Sequence, residues 1–163
     1  MKSENPFFGI LQPDRIKTDY LHRLAWGTDA SFYRKIPRLV LFPDTEEEVS
    51  GILEICNNKQ IAVTFRAAGT SLSGQSLSDS VLLVAATGWD QYQVHGDGAT
   101  ISLQPGIVGD RVNEILKPYG RKFSPDPASL SSAMVGGIMA NNASGMNCGT
   151  HANSDRIVRS MRL

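Results

Sequence analysis

Residues 66–76, "RAAGTSLSGQS", contain a phosphate-loop pattern that lacks its usual cation. Gly69 and Gly74 have the spacing of G-x-x-x-x-G-K-[ST] and Ser76 closes the pattern, but Gln75 stands where a lysine would reach the terminal phosphates. A nucleotide-hydrolysing loop also needs a long helix whose N-terminus faces the phosphates, and here only "SLSDS" separates the loop from the next apolar run. That run, "VLLVAA", does not end in an acidic residue suited to magnesium. The segment therefore reads either as a turn rich in small residues or as a loop that holds a phosphate without cleaving it.

A second segment favours the latter. Residues 123–149, "FSPDPASLSSAMVGGIMANNASGMNCG", place two prolines around Asp126, followed by Gly136, Gly137 and Gly145 among small side chains, a composition suited to backbone lying against something flat or charged. Successive backbone amides can form a concave nest for an anion without any charged side chain. Buried amide bonds to a charged group contribute about 1.5–3 kcal/mol each, so several could replace a lysine and hold a diphosphate between the two segments.

The elements that must position these segments follow from periodicity. Asp14 to Leu24 places Ile16, Tyr20, Leu21 and Leu24 on one helical face after Pro13, which predicts a packed N-terminal helix. "RLVLFP" predicts a short buried strand, and "DTEEEVSGILEIC" an amphipathic helix opened by a capping box of Thr45 and Glu48, with Glu46, Glu47 and Glu48 solvated. Alternation at Ile61, Val63 and Phe65 completes a βαβ unit with parallel strands and a right-handed crossover. "VLLVAA" predicts a buried strand, "HGDGAT" a hairpin turn and "TISLQPG" a strand ending at Pro105. A helix carrying Val112, Ile115, Leu116 and Tyr119 should be capped by Asp110 and stopped by a left-handed Gly120. "DRIVRSMRL" reads as a final strand, Asp29 as a helix cap or as a residue that orders the loop, and Trp26, Tyr33, Trp89 and Tyr119 as core.

Three motifs in this order, "FRAAGTSLSGQS", "PGIVGDRVNEIL" and "PDPASLSSAMVGGIMANNASG", resemble the flavin-binding domain of the vanillyl-alcohol oxidase superfamily, the PCMH-type FAD-linked oxidases. "WGTDASFY" and "RLVLFPDTEEEV" are similar to the entry segment of its branch of D-lactate, glycolate and D-2-hydroxyglutarate oxidoreductases. The resemblance runs from about Asp29 to the C-terminus and implies an α+β fold, a small mixed sheet with helices, after an N-terminal helical segment over 1–28. The phosphate would be the pyrophosphate of FAD, bound and never cleaved. Arg66, Ala67, Ala68, Gly69, Thr70, Ser71 and Gln75 would wrap it through amides, with hydroxyls from Thr70 and Ser71. Pro105 and Gly106 would turn the chain near the adenosine end. Pro125, Asp126, Pro127, Ser129, Gly136, Gly137, Asn141, Ser144 and Gly145 would form the other wall.

This chain departs from the family pattern at Ala67 and Ala68, where many relatives have glycine, so both must take ordinary backbone angles. Some relatives tether flavin through a histidine where Thr70 stands, which implies noncovalent FAD here. The resemblance further implies hydride transfer from a small D-2-hydroxy acid to the flavin, the cofactor supplying the electron chemistry. The 163 residues would supply the first flavin subdomain and the entrance to the second. The rest of the second, a substrate-covering cap and any iron–sulfur clusters would lie elsewhere in a longer parent. Catalytic groups are therefore expected outside this stretch, with the chain alone inactive and a weak binder of FAD that self-associates. The alternative is a nonredox nucleotide- or anion-binding module.

Composition agrees with a globular chain. Sixteen basic residues offset sixteen acidic ones, which leaves no broad field to hold nucleic acid or an anionic membrane. Cys56 and Cys148 have no metal-ligand spacing, His22, His95 and His151 stand far apart, and the N-terminus lacks the apolar core of a signal peptide. A cytoplasmic chain with reduced thiols, no metal and no transmembrane segment is the expectation.

Overall fold

The computed structural model describes residues 5–162. The chain divides into two compact units, Met1–Ala85 and Ala86–Leu163.

In the first unit, β1 (Ile16–Lys17), α1 (Tyr20–Ala25), β2 (Leu39–Leu41), α2 (Glu46–Asn58), β3 (Val63–Arg66) and β4 (Val81–Val84) follow in chain order. The sheet order is β1-β2-β4-β3, with β1 antiparallel to β2 and the other pairings parallel. The run "VLLV" is buried at every position because β4 is central, flanked by strands and covered on its faces. Val40, Leu41, Ile52, Leu82 and Leu83 are fully buried, and each such side chain contributes about 1.5–3 kcal/mol of hydrophobic stabilisation. The expected strands β2 and β3 are parallel, but β4 is inserted between them, so they do not pair with one another. As an edge strand, β3 leaves Phe65 half exposed.

The N-terminal helix predicted over 14–24 does not form as such. A 3-10 turn over Pro13–Arg15 leads into β1, where buried Ile16 lies opposite Leu41, and α1 begins only after Asp19, whose carboxylate accepts from the His22 amide. The periodicity of Ile16, Tyr20, Leu21 and Leu24 was satisfied by strand and helix in turn. Tyr20 and Leu21 are consequently exposed.

The capping box is half realised. Thr45 Oγ1 accepts from the Glu48 amide at 3.2 Å, but the Glu48 carboxylate turns to the Asp44 amide at 2.7 Å and to Arg15 in a two-pronged ion pair. Glu48 is thus part-buried and paired, whereas solvation was expected.

The second unit contains the hairpin β5 (Tyr92–His95) and β6 (Thr100–Leu103), then α3 (Gly109–Leu116), α4 (Val135–Ala140) and α5 (Ser154–Ile157). Gly96, Asp97 and Gly98 take positive φ in the hairpin loop, and Gly120 takes φ +63° after α3, as its position predicted. Ile107, Val112, Leu116, Phe123, Leu130, Ala133, Val135 and Ile138 form the core.

Four other expectations change here or in the first unit. Asp110 is inside α3 and does not cap it; the first amides, of Gly109 and Asp110, donate to the carbonyls of Ala133 and Leu130, so tertiary partners replace a side-chain cap. Residues 155–162 form no strand: Ser154 is buried, its hydroxyl donates to the Ala143 carbonyl at 2.7 Å, and this anchors the single turn α5. Tyr33 and Tyr119 are largely exposed and Trp26 is half-buried, while Trp89 is buried. No helix follows Asp29.

A candidate anion-binding loop and the family of the chain

Residues 66–76 leave the end of β3 and carry two positive-φ glycines, Gly69 and Gly74, both at +74°. Ala67 and Ala68 keep negative φ, so the alanines that replace glycine need no strained backbone. Among the described residues, the amides of Ala67, Ala68, Gly69 and Thr70 donate to no protein acceptor, and all four residues are half-buried. Four consecutive unpartnered amides around a left-handed glycine match what an anion nest requires. These residues fit a pyrophosphate.

The hydroxyls and amides further along the loop have other duties. Ser71 Oγ donates to Gln75 Oε1 at 2.8 Å and accepts from the amides of Ser73 and Gln75, so it folds the loop tip onto itself. Ser76 Oγ donates to Asp29 Oδ2 at 3.1 Å, and Asp29 Oδ1 accepts from the Ser31 amide at 2.9 Å and from the Ser31 hydroxyl. Burial raises the Asp29 pKa, but these bonds and the charge of Arg66 outweigh it and hold the carboxyl below its ordinary range.

Arg66 turns its side chain under the loop. Nη1 donates to the Thr28 carbonyl at 2.7 Å and to the Trp26 carbonyl at 3.4 Å, and the guanidinium lies over the Trp26 ring at 5.0 Å. Nε is buried without a hydrogen-bond partner. A Cβ at Gly69 would lie 2.4 Å from Nη2, so backbone and guanidinium are in close approach. Sequence reasoning flagged Asp29 but missed this role of Trp26, Thr28 and Ser76, since nothing in their spacing announces that the 26–31 segment seats the loop.

In the second unit the small residues separate into two kinds. Gly106, Gly136 and Gly145 are packing glycines: a Cβ would lie 2.0 Å from the Ala86 carbonyl oxygen, 2.6 Å from Pro105 Cβ and 1.5 Å from the Asp126 carbonyl oxygen, respectively. Gly136 and Gly137 lie in the first turn of α4. The Val135 and Gly136 amides are already taken by the carbonyls of Ile107 and Pro105. Gly137 differs: its amide donates to no described residue, and a Cβ there would meet nothing within 4 Å. Pro125 is buried, and the Pro127 and Ser129 carbonyls accept from Leu130, Ser132 and Ala133 in a tight turn. Asp126 accepts from Asn147 Nδ2 and faces Lys122 at 3.8 Å. Ser144 and Asn141 are exposed. Cys148, missed as a structural residue, accepts from the Gly145 amide at 3.2 Å and holds that turn.

The depressed carboxyls set a pH dependence. The Arg15 hydrogen bond holds the Glu48 carboxyl below its ordinary value against the opposing effect of burial. A depressed folded-state pKa contributes stability above the unfolded value and loses it as pH falls through the folded one. The stability difference between the wild-type chain and Arg15→Met should therefore be full at neutral pH and shrink below about pH 4, the ordinary carboxylate range. Urea unfolding at a series of pH values checks this; a difference constant down to pH 2 would refute it.

Comparison with known proteins agrees with the loop chemistry. Residues 37–163 match the model of the FAD binding domain family. The chain is 31% identical over 134 residues to D-2-hydroxyglutarate dehydrogenase of Haemophilus influenzae, which covers 80% of this chain and 13% of that protein. It is 35% identical over 120 residues to glycolate oxidase subunit GlcD of Escherichia coli K12, covering 72% of this chain and 24% of that one. The chain thus spans a quarter or less of these relatives. Among solved structures, alkyldihydroxyacetonephosphate synthase superposes with a TM-score of 0.77 over 91% of this chain and 31% of that one, at 20% identity, which shows a common fold. With most of its length matched by that model and its loop suited to a pyrophosphate, the chain belongs to the FAD binding domain family.

Proposed function

We propose that this chain holds FAD noncovalently for a flavin-dependent oxidation of a small D-2-hydroxy acid. The run of free amides from Ala67 to Thr70 around positive-φ Gly69 carries the reading, with the names of the relatives in support. In this reading the amides of residues 67–70 donate to the pyrophosphate and Ser71 and Gln75 shape the loop tip, while in the second unit, taken by itself, exposed Gly137 offers open backbone. Ser129, Asn141 and Ser144 add polar groups, while Pro105, Gly106, Pro125, Asp126, Pro127, Gly136 and Gly145 set the backbone that carries them. When bound, FAD supplies the hydride-accepting chemistry that no side chain possesses.

Thr70 offers no ring nitrogen for a covalent tether, which supports noncovalent binding. Charge neutralisation by several amides suits a group that is held and not cleaved, since no leaving phosphate needs a lysine. The chain is also proposed to self-associate, with exposed Phe32 and Leu72 as apolar surface available for it.

Titration of the purified chain with FAD, followed by flavin fluorescence and calorimetry, tests the proposal. Saturable binding with one FAD per chain is expected, with ADP binding more weakly and no ATP hydrolysis by the chain or by Gln75→Lys. Equal affinity for ADP and FAD would favour a nonredox nucleotide module, and no binding of either would refute the reading. Reduction of the bound flavin by D-2-hydroxyglutarate, glycolate or D-lactate, tested in the protein that contains this chain, identifies the substrate.

A further inference from the structure

Three ties join the glycine loop to the segment 26–31, all within the first unit. At the entrance, Arg66 Nη1 donates to the Trp26 and Thr28 carbonyls. In the middle, the Ala30 amide donates to the Gly69 carbonyl at 3.2 Å. At the exit, Ser76 donates to Asp29. The segment is itself closed on its far side by the Lys35 amide donating to the Gly27 carbonyl at 3.0 Å and by a bridge between Thr28 and Arg34. It is a small platform, and the loop is seated on it.

Arg66 has the most contacts of these ties. Its Nη1 is spent on two carbonyls, the guanidinium lies over the Trp26 ring with Nη2 beside Gly69, and its Nε–H is sealed from solvent. A phosphate-binding arginine would be expected to present its planar fork to the ligand. This one gives its Nη1 to two carbonyls of its own fold.

We propose that Arg66 is the positioning residue of the cofactor loop: its guanidinium, fixed on the Trp26–Ala30 platform, holds Gly69 in the left-handed turn and thereby aims the amides of residues 67–70, without touching the cofactor. The role rests on the FAD reading given above, but the seating of the loop can be measured without ligand. Lysine is a poor substitute, because its compact, strongly hydrated ammonium lacks the planar guanidinium that bonds carbonyls at its edge while its face stacks on an indole.

The test uses the chain and its Arg66→Lys and Arg66→Met variants. Hydrogen exchange without FAD should show the Ala30 amide opening about tenfold faster in both, with Leu83 in β4 unchanged, as expected for local release of a loop from a stable sheet. FAD affinity should fall about tenfold or more in both, the loss of at least one charge-assisted bond. Arg66→Lys, which keeps the positive charge, should lose as much affinity as Arg66→Met, which removes it. Wild-type affinity in Arg66→Lys, or a loss in Arg66→Met about tenfold larger than in Arg66→Lys, would overturn the proposal in favour of direct phosphate contact. Unchanged Ala30 exchange would overturn it as well. If Leu83 also accelerates, Ser76→Ala, which cuts only the exit tie, takes the place of the variants: faster Ala30 exchange with Leu83 unchanged supports the platform, and unchanged Ala30 exchange rejects it. A wild-type chain that takes up no FAD would sink the cofactor reading alone, and the exchange rates would still decide whether Arg66 seats the loop.

Discussion

Gly69→Val should reduce FAD binding by roughly a hundredfold or more while leaving the first unit folded. Two costs add. A β-branched residue held at φ +74° carries about 1–3 kcal/mol of backbone strain. Its Cβ would also lie within 2.4–2.7 Å of Nη2, Cζ and Nε of Arg66, so the guanidinium must leave the Trp26 ring and the Thr28 carbonyl or the loop must lift away. Losing one such charged hydrogen bond costs about 1.5–3 kcal/mol, and each 1.4 kcal/mol is tenfold in affinity. The new side chain points at Arg66, so the effect on FAD is exerted through the shape of the turn. Titration with FAD alongside thermal unfolding checks this; wild-type affinity in a folded variant would remove the turn from the cofactor site.

The sequence was most informative where a single local rule decided the outcome. Thr45 caps α2, Gly120 stops the helix before it, "VLLV" is a buried strand, and the glycines at 69 and 74 take the positive φ that only a tight loop needs. It was least informative where a distant partner decides. Ile16 joins a strand because Leu41 offers an edge, Glu48 leaves its capping duty because Arg15 is within reach, and Asp110 does not cap because the carbonyls of Leu130 and Ala133 satisfy the amides first. Arg66 belongs to the same class. Its place in a phosphate-loop motif suggests a ligand, and only the fold shows the side chain turned inward onto Trp26. Small residues are hardest of all, because glycine is used both to pack backbone against backbone and to leave backbone open, and composition cannot distinguish these uses.

The pair Gly145 and Gly137 separates those uses experimentally. At Gly145 a methyl group would sit 1.5 Å from the Asp126 carbonyl oxygen and 2.3 Å from its carbon, both backbone atoms, so the turn held by Cys148 has to open. Overpacking of this kind costs about 1–3 kcal/mol and occasionally more. In a unit of this size each kcal/mol lowers Tm by about 4–8 °C, so Gly145→Ala should melt the second unit some ten degrees or more below the wild type. Gly137→Ala should do the opposite. The residue is exposed in α4 with open space at its Cβ, and replacing a helical glycine by alanine stabilises by about 0.5–1 kcal/mol, which raises Tm by a few degrees. If the open backbone at Gly137 is where the cofactor lies, that more stable variant should nevertheless bind FAD about tenfold less tightly, because the methyl occupies the contact distance. Calorimetry and FAD titration of the two variants together give the answer. A wild-type Tm for Gly145→Ala would contradict the close approach to Asp126, and full FAD affinity in Gly137→Ala would place the cofactor away from α4, since a gain in helix stability cannot by itself weaken a ligand.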